Sequence, residues 1–171
     1  TALTLFAPRR TGKTQFLVHD LAPAADRRKS SVVYASFWQT ADTPVATLTH
    51  AIEGAVKTPA FWQRTGSALT GMKPKIRTAP MGSGGEIDLA RPENEDAGQD
   101  PLLLLDDMIG QLPASYKTPL LLMLDEVQGL AAPEHLAFVA ALRTSLDKRR
   151  DTVRTIFTGS SMDGLRAMFS T

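Results

Sequence analysis

The chain has 171 residues, enough for one sizeable domain, and its apolar (43%) and charged (22%) contents are those of an ordinary globular protein. A net charge of +1 gives no overall attraction to nucleic acid or to an anionic membrane. The sequence has no cysteine, which excludes a disulfide framework and a thiolate metal site. No stretch approaches the roughly 20 apolar residues that span a bilayer, so we expect a cytoplasmic protein without membrane contact.

The first stretch of the chain predicts a strand at residues 3–6, a tight loop and the start of a helix. From Ala7 to Thr14 it reads A-x-x-x-x-G-K-T, the phosphate-binding P-loop pattern with alanine in place of the first glycine. Backbone N–H groups of such a loop hold phosphate oxygens, while Lys13 supplies positive charge and the Thr14 hydroxyl can ligate Mg²⁺. Gly12 lets the backbone come close to the phosphates. The predicted nucleotide-binding residues are Ala7, Pro8, Arg9, Arg10, Thr11, Gly12, Lys13, Thr14 and Gln15.

The next predicted elements are a helix from about residue 14 to 21, which should end at Pro23, and a buried strand at residues 32–37. A second helix should begin at Thr43-Pro44, with threonine as N-cap and proline as the first helical residue. Another short helix is expected near residue 59. Three aromatic side chains around these elements favour packing in a core or groove over stacking on bases: Trp38, Phe61 and Trp62.

Residues 66–100 differ in composition, since glycine, proline, serine and charged residues dominate there. Alternating polar and apolar residues flank a glycine-rich centre at residues 82–85, as in a β-hairpin. We predict an exposed hairpin insertion within one domain spanning residues 1–171, and partial disorder stays open as the alternative. Because the chain begins on a predicted strand without a methionine, we expect a fragment of a longer protein.

The second half of the chain predicts a helix that begins at Asp100-Pro101 and stops at Pro113, a helix over residues 133–146 and a strand at 153–158. Between them, five apolar residues at 120–124 precede Asp125 and Glu126. Such a run is typical of a parallel strand that is covered on both faces. Because strands alternate with helices, we predict a parallel α/β sheet with helices on both of its faces.

Two groups of polar residues follow the predicted strands at the sheet edge where α/β proteins bind ligands. A Mg²⁺ held by Thr14 and by phosphate oxygens is the natural partner of Asp125, directly or through water. Glu126 points elsewhere and could polarise a water for attack on a γ-phosphate. At the end of the last strand, Ser160 has two open interpretations: a contact to the γ-phosphate or the water, or the N-cap of a following helix.

Three runs, A-P-R-R-T-G-K-T, L-D-E-V-Q and F-T-G-S-S, resemble the ATPase domains of the AAA+/STAND group, particularly prokaryotic ATPases whose loop reads GPRRxGKT. The resemblance implies a three-layer P-loop sandwich with strand order 1-4-3-2 and a fifth strand outside this chain. It implies that Lys13 and Thr14 form Walker A and that Ser160 is at the sensor-1 position. Walker B would be Asp125 and Glu126. The implied catalytic residues are Glu126, Lys13 and Ser160, and the implied metal ligands are Thr14 and Asp125.

We therefore expect an ATPase that uses ATP and Mg²⁺ to drive or switch an attached domain or an assembly, including self-association. One alternative is a nucleotide-dependent DNA-binding module that resembles origin-recognition or transposition ATPases. A basic cluster gives it weak support, because no aromatic residues lie between the charges. A P-loop kinase and a scaffold that binds nucleotide without turnover also stay open. The basic cluster consists of Lys148, Arg149, Arg150 and Arg154.

Overall fold

The computed structural model describes residues 2–38, 42–56 and 100–163. The strands in these residues are β1 (Ala2–Phe6), β2 (Ser31–Ser36), β3 (Leu120–Asp125) and β4 (Val153–Gly159). All neighbouring strands are parallel, and their order is β1-β4-β3-β2. The predicted parallel sheet and its order 1-4-3-2 are thus confirmed. The predicted insertion before residue 100, the short helix near residue 59, Phe61 and Trp62 lie outside the described residues.

Helices connect these strands. The first, α1, has three consecutive parts: Lys13–Gln15, a π-helical stretch Phe16–Leu21 and Ala22–Arg27. The others are α2 (Pro44–Ala55), α3 (Pro101–Tyr116) and α4 (Leu136–Lys148). Two 3₁₀ turns, Val127–Ala131 and Pro133–His135, join β3 to α4. None of the helices in the described residues has the length and apolarity needed to span a bilayer.

β3 is one of the two inner strands of the described sheet, and it organises the core because all six of its residues are buried. Leu120, Leu122 and Leu124 cluster with apolar residues of α2, α3 and α4, whereas Leu121 and Met123 cluster with residues of α1. Successive strand residues point to opposite faces, so this alternation shows that helices cover both sides of the sheet. The result is the three-layer α/β arrangement that the sequence predicts.

Two prolines were expected to end helices and do not. α1 continues past Pro23 to Arg27, and the N–H of Ala22 bonds the carbonyl of Leu17, five residues earlier. This wider π-helical turn shifts the hydrogen-bond register just before the proline, which then lies in a first turn where its missing N–H costs least. In α3, the buried Pro113 lies inside a helix that runs on to Tyr116. Packing of the apolar face outweighs the local cost of the proline there.

The predicted starts of α2 and α3 are confirmed, but the two caps work differently. The Asp100 side chain accepts a hydrogen bond from the N–H of Leu102 at 2.8 Å, which satisfies one free donor of the first turn. Thr43 is at the N-cap position of α2, yet its side chain makes no capping hydrogen bond. Its carbonyl instead accepts from the N–H and the hydroxyl of Thr47.

An ion pair joins α3 to the end of α4. Arg149 Nη1 lies 2.5 Å from Asp106 Oδ1 and also donates to the carbonyl and the hydroxyl of Ser145, at 3.0 and 2.9 Å. The hydrogen bond from Arg149 lowers the pKa of Asp106 from 3.8 to about 2, against the opposing effect of burial. α3 makes room with Gly110, where an added Cβ would lie 2.7 Å from Arg149 Nε. We call these four residues the helix clamp.

We expect Asp106→Asn to lower the free energy of unfolding at neutral pH by about 1 kcal/mol, because a partly exposed ion pair contributes little more. A carboxyl whose pKa falls on folding adds stability above its unfolded pKa and loses it as the pH drops through its folded pKa. The difference between wild type and variant should therefore be complete above about pH 4 and shrink toward about pH 2. Urea unfolding across this range measures it.

Asp147→Asn is the matched control, because Asp147 pairs with Arg150 at 2.9 Å while both side chains are largely exposed. We expect this variant to change the free energy of unfolding by less than about 0.5 kcal/mol at any pH. An Asp106→Asn protein that is as stable as wild type at neutral pH would contradict the stabilising role of the clamp.

Candidate active site

The loop between β1 and α1 has the backbone geometry of a tight turn. Gly12 has a φ of 87° and Arg10 a φ of 63°, both in the left-handed region. Ala7 is not among the residues with positive φ, so alanine fits where the P-loop pattern usually has glycine. The Thr11 hydroxyl closes the turn by donating to the carbonyl of Pro8 at 2.8 Å. The first N–H groups of α1 have no partner within a helix, and an acceptor such as phosphate could satisfy them.

Lys13 is buried at the base of this loop, with only 5% of its side chain exposed. Its ammonium donates to the carbonyls of Ala7 and Pro8, at 2.7 and 2.9 Å. It also lies 3.8 Å from Glu126 Oε1, which is an ion pair at long range. The ammonium therefore lies between the loop and the acidic end of β3.

Asp125 is 1% exposed, and a carboxylate in such a position needs donors on every side. Its Oδ2 accepts from the Thr14 hydroxyl at 2.7 Å and from the Tyr34 hydroxyl at 3.0 Å. Its Oδ1 accepts from the N–H of Glu126 at 3.0 Å and from the hydroxyl of Thr158. Four donors from four segments of the chain thus hold one side chain.

Tyr34 is a site residue that the sequence analysis missed. Its pKa rises from 10.0 to about 12, first because of burial and then because of the nearby Asp125 carboxylate, which also accepts its hydrogen bond. The only signal in the sequence was a tyrosine in a strand of otherwise small or aliphatic residues. It lies two residues before Ser36, which pairs with Asp125 across the sheet. Without that register, nothing in the sequence directs its hydroxyl to the acid.

Glu126 follows β3 with φ 56° and ψ 41°, a left-handed conformation that few non-glycine residues adopt. Its Oε2 accepts from the Ser160 hydroxyl at 3.0 Å and from the amide of Gln128. Ser160 thus lies beside the acids, and both interpretations of its role stay open. Gln128 was quoted in the L-D-E-V-Q run but was not predicted as a site residue.

A cavity of about 460 Å³ opens beside these acids at the carboxyl ends of the strands. Trp38 forms part of its wall and is 57% exposed, so it is a groove residue and not a core residue. The Arg9 guanidinium lies 4.4 Å from the centre of the Trp38 ring, in a cation–π contact. Arg9 and Arg10 are both exposed at this cavity, and Gln15 is exposed on α1.

The donor set at Thr14 and Asp125 fits a magnesium ion. Mg²⁺ prefers oxygen ligands and is usually bound by one or two protein groups together with waters and substrate phosphates. The hydroxyl and carboxylate oxygens of these two residues touch each other at the wall of the cavity. In the described part of the chain, no group of three His, Cys, Asp or Glu side chains offers an alternative metal site.

The basic cluster lies away from this site, and acids accompany most of its charges. Lys148 and Arg149 both approach Asp106, and Arg150 pairs with Asp147. Arg154 donates to the carbonyl of Arg150. This pairing reduces the positive field that the cluster presents, so the structure adds no support for the DNA-binding alternative.

Comparison with known proteins gives information on the fold. No protein-family model and no curated protein matches the chain. Among solved structures, a Walker-type ATPase of Pyrococcus abyssi matches with a TM-score of 0.50 and 15% identity, over 99% of this chain and 43% of its own. The ORC2 protein of Aeropyrum pernix, solved as ADPNP–ADP complexes, matches with a TM-score of 0.54 and 18% identity, over 99% of this chain and 38% of its own.

The chain has the fold of a P-loop ATPase. At these identities the similarity shows the fold alone. The chain also spans only about two fifths of the length of either structure. The loop with Lys13 and Thr14 follows β1, and Asp125 ends β3.

We expect Thr158→Val to lower the free energy of unfolding by about 1–3 kcal/mol, because it removes a hydrogen bond to a buried carboxylate. Thr158 is fully buried, donates to Asp125 and lies 3.4 Å from the N–H of Glu126. Thr144→Val is the matched control, since the Thr144 hydroxyl bonds only its own helix at an exposed position. Urea unfolding should show a change below about 0.5 kcal/mol for Thr144→Val. Equal effects of the two substitutions would contradict the role given to Thr158.

Proposed function

We propose that this chain is an ATPase module that binds ATP with Mg²⁺ and hydrolyses the bond between the β- and γ-phosphates. The observation that carries the proposal is that two side chains of the loop after β1 meet the two acids at the end of β3. Thr14 Oγ1 lies 2.7 Å from Asp125 Oδ2, and Lys13 Nζ lies 3.8 Å from Glu126 Oε1. A cation, a hydroxyl and two acids at the carboxyl edge of a parallel sheet are the groups that phosphoryl transfer requires.

Binding would use the loop backbone and Lys13. The first N–H groups of α1 and the left-handed turn at Gly12 would hold phosphate oxygens. Lys13 already lies in the loop, where its ammonium bonds two carbonyls, and a phosphate oxygen would become a further acceptor. The nucleotide complexes of the ORC2 protein with the same fold support a nucleotide as the ligand. Exposed Arg9 and Arg10 would attract the negative triphosphate to the cavity.

The proposed metal ligands are Thr14 and Asp125. When bound, Mg²⁺ would neutralise charge on the phosphate oxygens. The chain's own contribution is to fix these two oxygens in advance. Tyr34 and Thr158 hold the Asp125 carboxylate from two other strands, so its position does not depend on the ligand.

Glu126 is the proposed general base. A water adds to the γ-phosphorus, the bond to the bridging oxygen breaks, ADP leaves, and the water's proton passes to the Glu126 carboxylate. Lys13 would stabilise the charge that develops on the phosphate, and Ser160 holds one oxygen of Glu126. The released products are ADP and inorganic phosphate. A phosphorylated acceptor in place of free phosphate would indicate the kinase alternative.

Because the chain spans only part of the structures that it resembles, its larger role is also a proposal. We propose that nucleotide binding and hydrolysis drive or switch an attached domain or an assembly, as the resemblance to the AAA+/STAND group implies. Such coupling requires that the two nucleotide states differ in their contacts to that domain.

We expect Lys13→Ala to weaken ATP binding by about 10–100-fold, because it removes a charge-assisted contact to the phosphates. Turnover should fall with it. Lys148→Ala is the control, since Lys148 is an exposed lysine far from the loop. Titration calorimetry with a non-hydrolysable ATP analogue measures the affinity. Equal affinity in the Lys13→Ala protein and wild type would contradict the proposed site.

We expect Glu126→Gln to bind ATP as wild type does but to lower kcat by about 10²–10⁴-fold, because a carboxamide cannot accept the water's proton. Glu134→Gln replaces an exposed carboxylate outside the site and is the matched control. Phosphate release, measured with the protein in its full natural length, gives the rate. Near-wild-type turnover of Glu126→Gln would remove Glu126 from the mechanism.

A further inference from the structure

Gln128 forms hydrogen bonds with both Glu126 and Ser160. It lies in the 3₁₀ turn Val127–Ala131, which bends the chain back toward the end of β4. Its Nε2 donates to Glu126 Oε2 and, at 3.1 Å, to Ser160 Oγ. Its Oε1 accepts from the backbone N–H of Ser160 at 3.2 Å. One amide group thus connects the turn after β3 with the end of β4.

The chemistry of these neighbours fixes which way the amide faces. The N–H of Ser160 can only donate, so it must meet the oxygen of Gln128. The Glu126 carboxylate accepts, so it must meet the nitrogen. Glutamate or methionine at this position could not make both contacts, because one lacks the donor and the other lacks both groups.

The contacts leave the two oxygens of Glu126 in different roles. Oε2 receives hydrogen bonds from Gln128 and from Ser160, whereas Oε1 faces the ammonium of Lys13 at 3.8 Å. A free glutamate side chain would sample several rotamers, and proton transfer requires one of them. The amide restricts this choice in a residue whose backbone already has an unusual left-handed conformation.

We propose that Gln128 is the positioning residue for Glu126: it holds Oε2 so that Oε1 faces the nucleotide and accepts the proton of the attacking water. The inference rests on the proposed ATPase function and adds a residue to it. A nucleotide that attracts Lys13 would leave the contact between Gln128 and Glu126 in place. The other partner of Gln128 is the backbone N–H of Ser160, directly after β4, and it does not involve Lys13. It contacts Glu126 and Ser160, and it does not line the cavity.

The first test is Gln128→Met, which keeps the length of the side chain and removes both hydrogen-bonding groups. In the full-length protein, kcat should fall by about 10–100-fold, since a misplaced reacting group has a cost of this order. The affinity for a non-hydrolysable ATP analogue should stay within about twofold of wild type. Gln111→Met is the matched control, because the side-chain oxygen of Gln111 is buried and has no hydrogen-bond partner among the described residues, and both constants should be unchanged. A purely structural role would instead lower affinity and kcat together.

The second test asks whether Gln128 acts through Glu126. In the Glu126→Gln background, adding Gln128→Met should change kcat by less than about twofold, since there is no base left to position. Equal losses in both backgrounds would overturn the proposal, and so would wild-type kcat in Gln128→Met alone.

A third measurement does not depend on turnover. If the wild-type protein fails to hydrolyse ATP, the proposed function fails, and the contact itself is tested by nuclear magnetic resonance of the Gln128 side-chain amide. Its ¹⁵N–¹H signals should shift in Glu126→Ala and in Ser160→Ala and stay unchanged in Glu134→Ala. Signals that respond to neither of the first two substitutions would overturn the positioning of Glu126 by Gln128.

Discussion

The structure of the site depends on how one buried carboxylate is satisfied. Asp125 closes the central strand, and its donors come from α1, from β2, from β4 and from the residue that follows it. An unpaired charge at this depth would cost several kcal/mol, and the four hydrogen bonds offset that cost. The same hydrogen bonds align the phosphate loop with the acids. The packed core and the candidate active site therefore share the same contacts.

The location of the candidate active site could be predicted from the sequence, because parallel strands bring their carboxyl ends to one edge of the sheet. That rule alone places the loop with Lys13 and Thr14 near Asp125 and Ser160, and the resemblance supplied the strand order. Tyr34 and Gln128 could not be predicted in the same way. Their roles depend on the register between β2 and β3 and on the course of a 3₁₀ turn, and neither is encoded in a local pattern. Such residues become visible only when side chains distant in the sequence are seen together.

The helix boundaries show a second limit of local patterns. Proline usually ends a helix because it lacks an N–H group and its ring meets a preceding carbonyl. At Pro23 a π-helical stretch changes the register first, and at Pro113 the buried apolar face of α3 compensates for the lost bond. Both outcomes depend on tertiary packing, which a rule based on neighbouring residues does not include. The strained backbone at Glu126 belongs to the same class, since only the surrounding contacts maintain it.

The helix clamp lies at the end of the sheet opposite the candidate active site. Arg149 and Asp106 join α3 to α4 just before β4 begins, whereas all of the proposed chemistry lies where the strands end. The clamp thus stabilises the pair of helices at the rim of the sheet opposite the candidate active site. A substitution within the clamp should therefore alter stability and leave the candidate active site intact, whereas a substitution at Thr158 affects both.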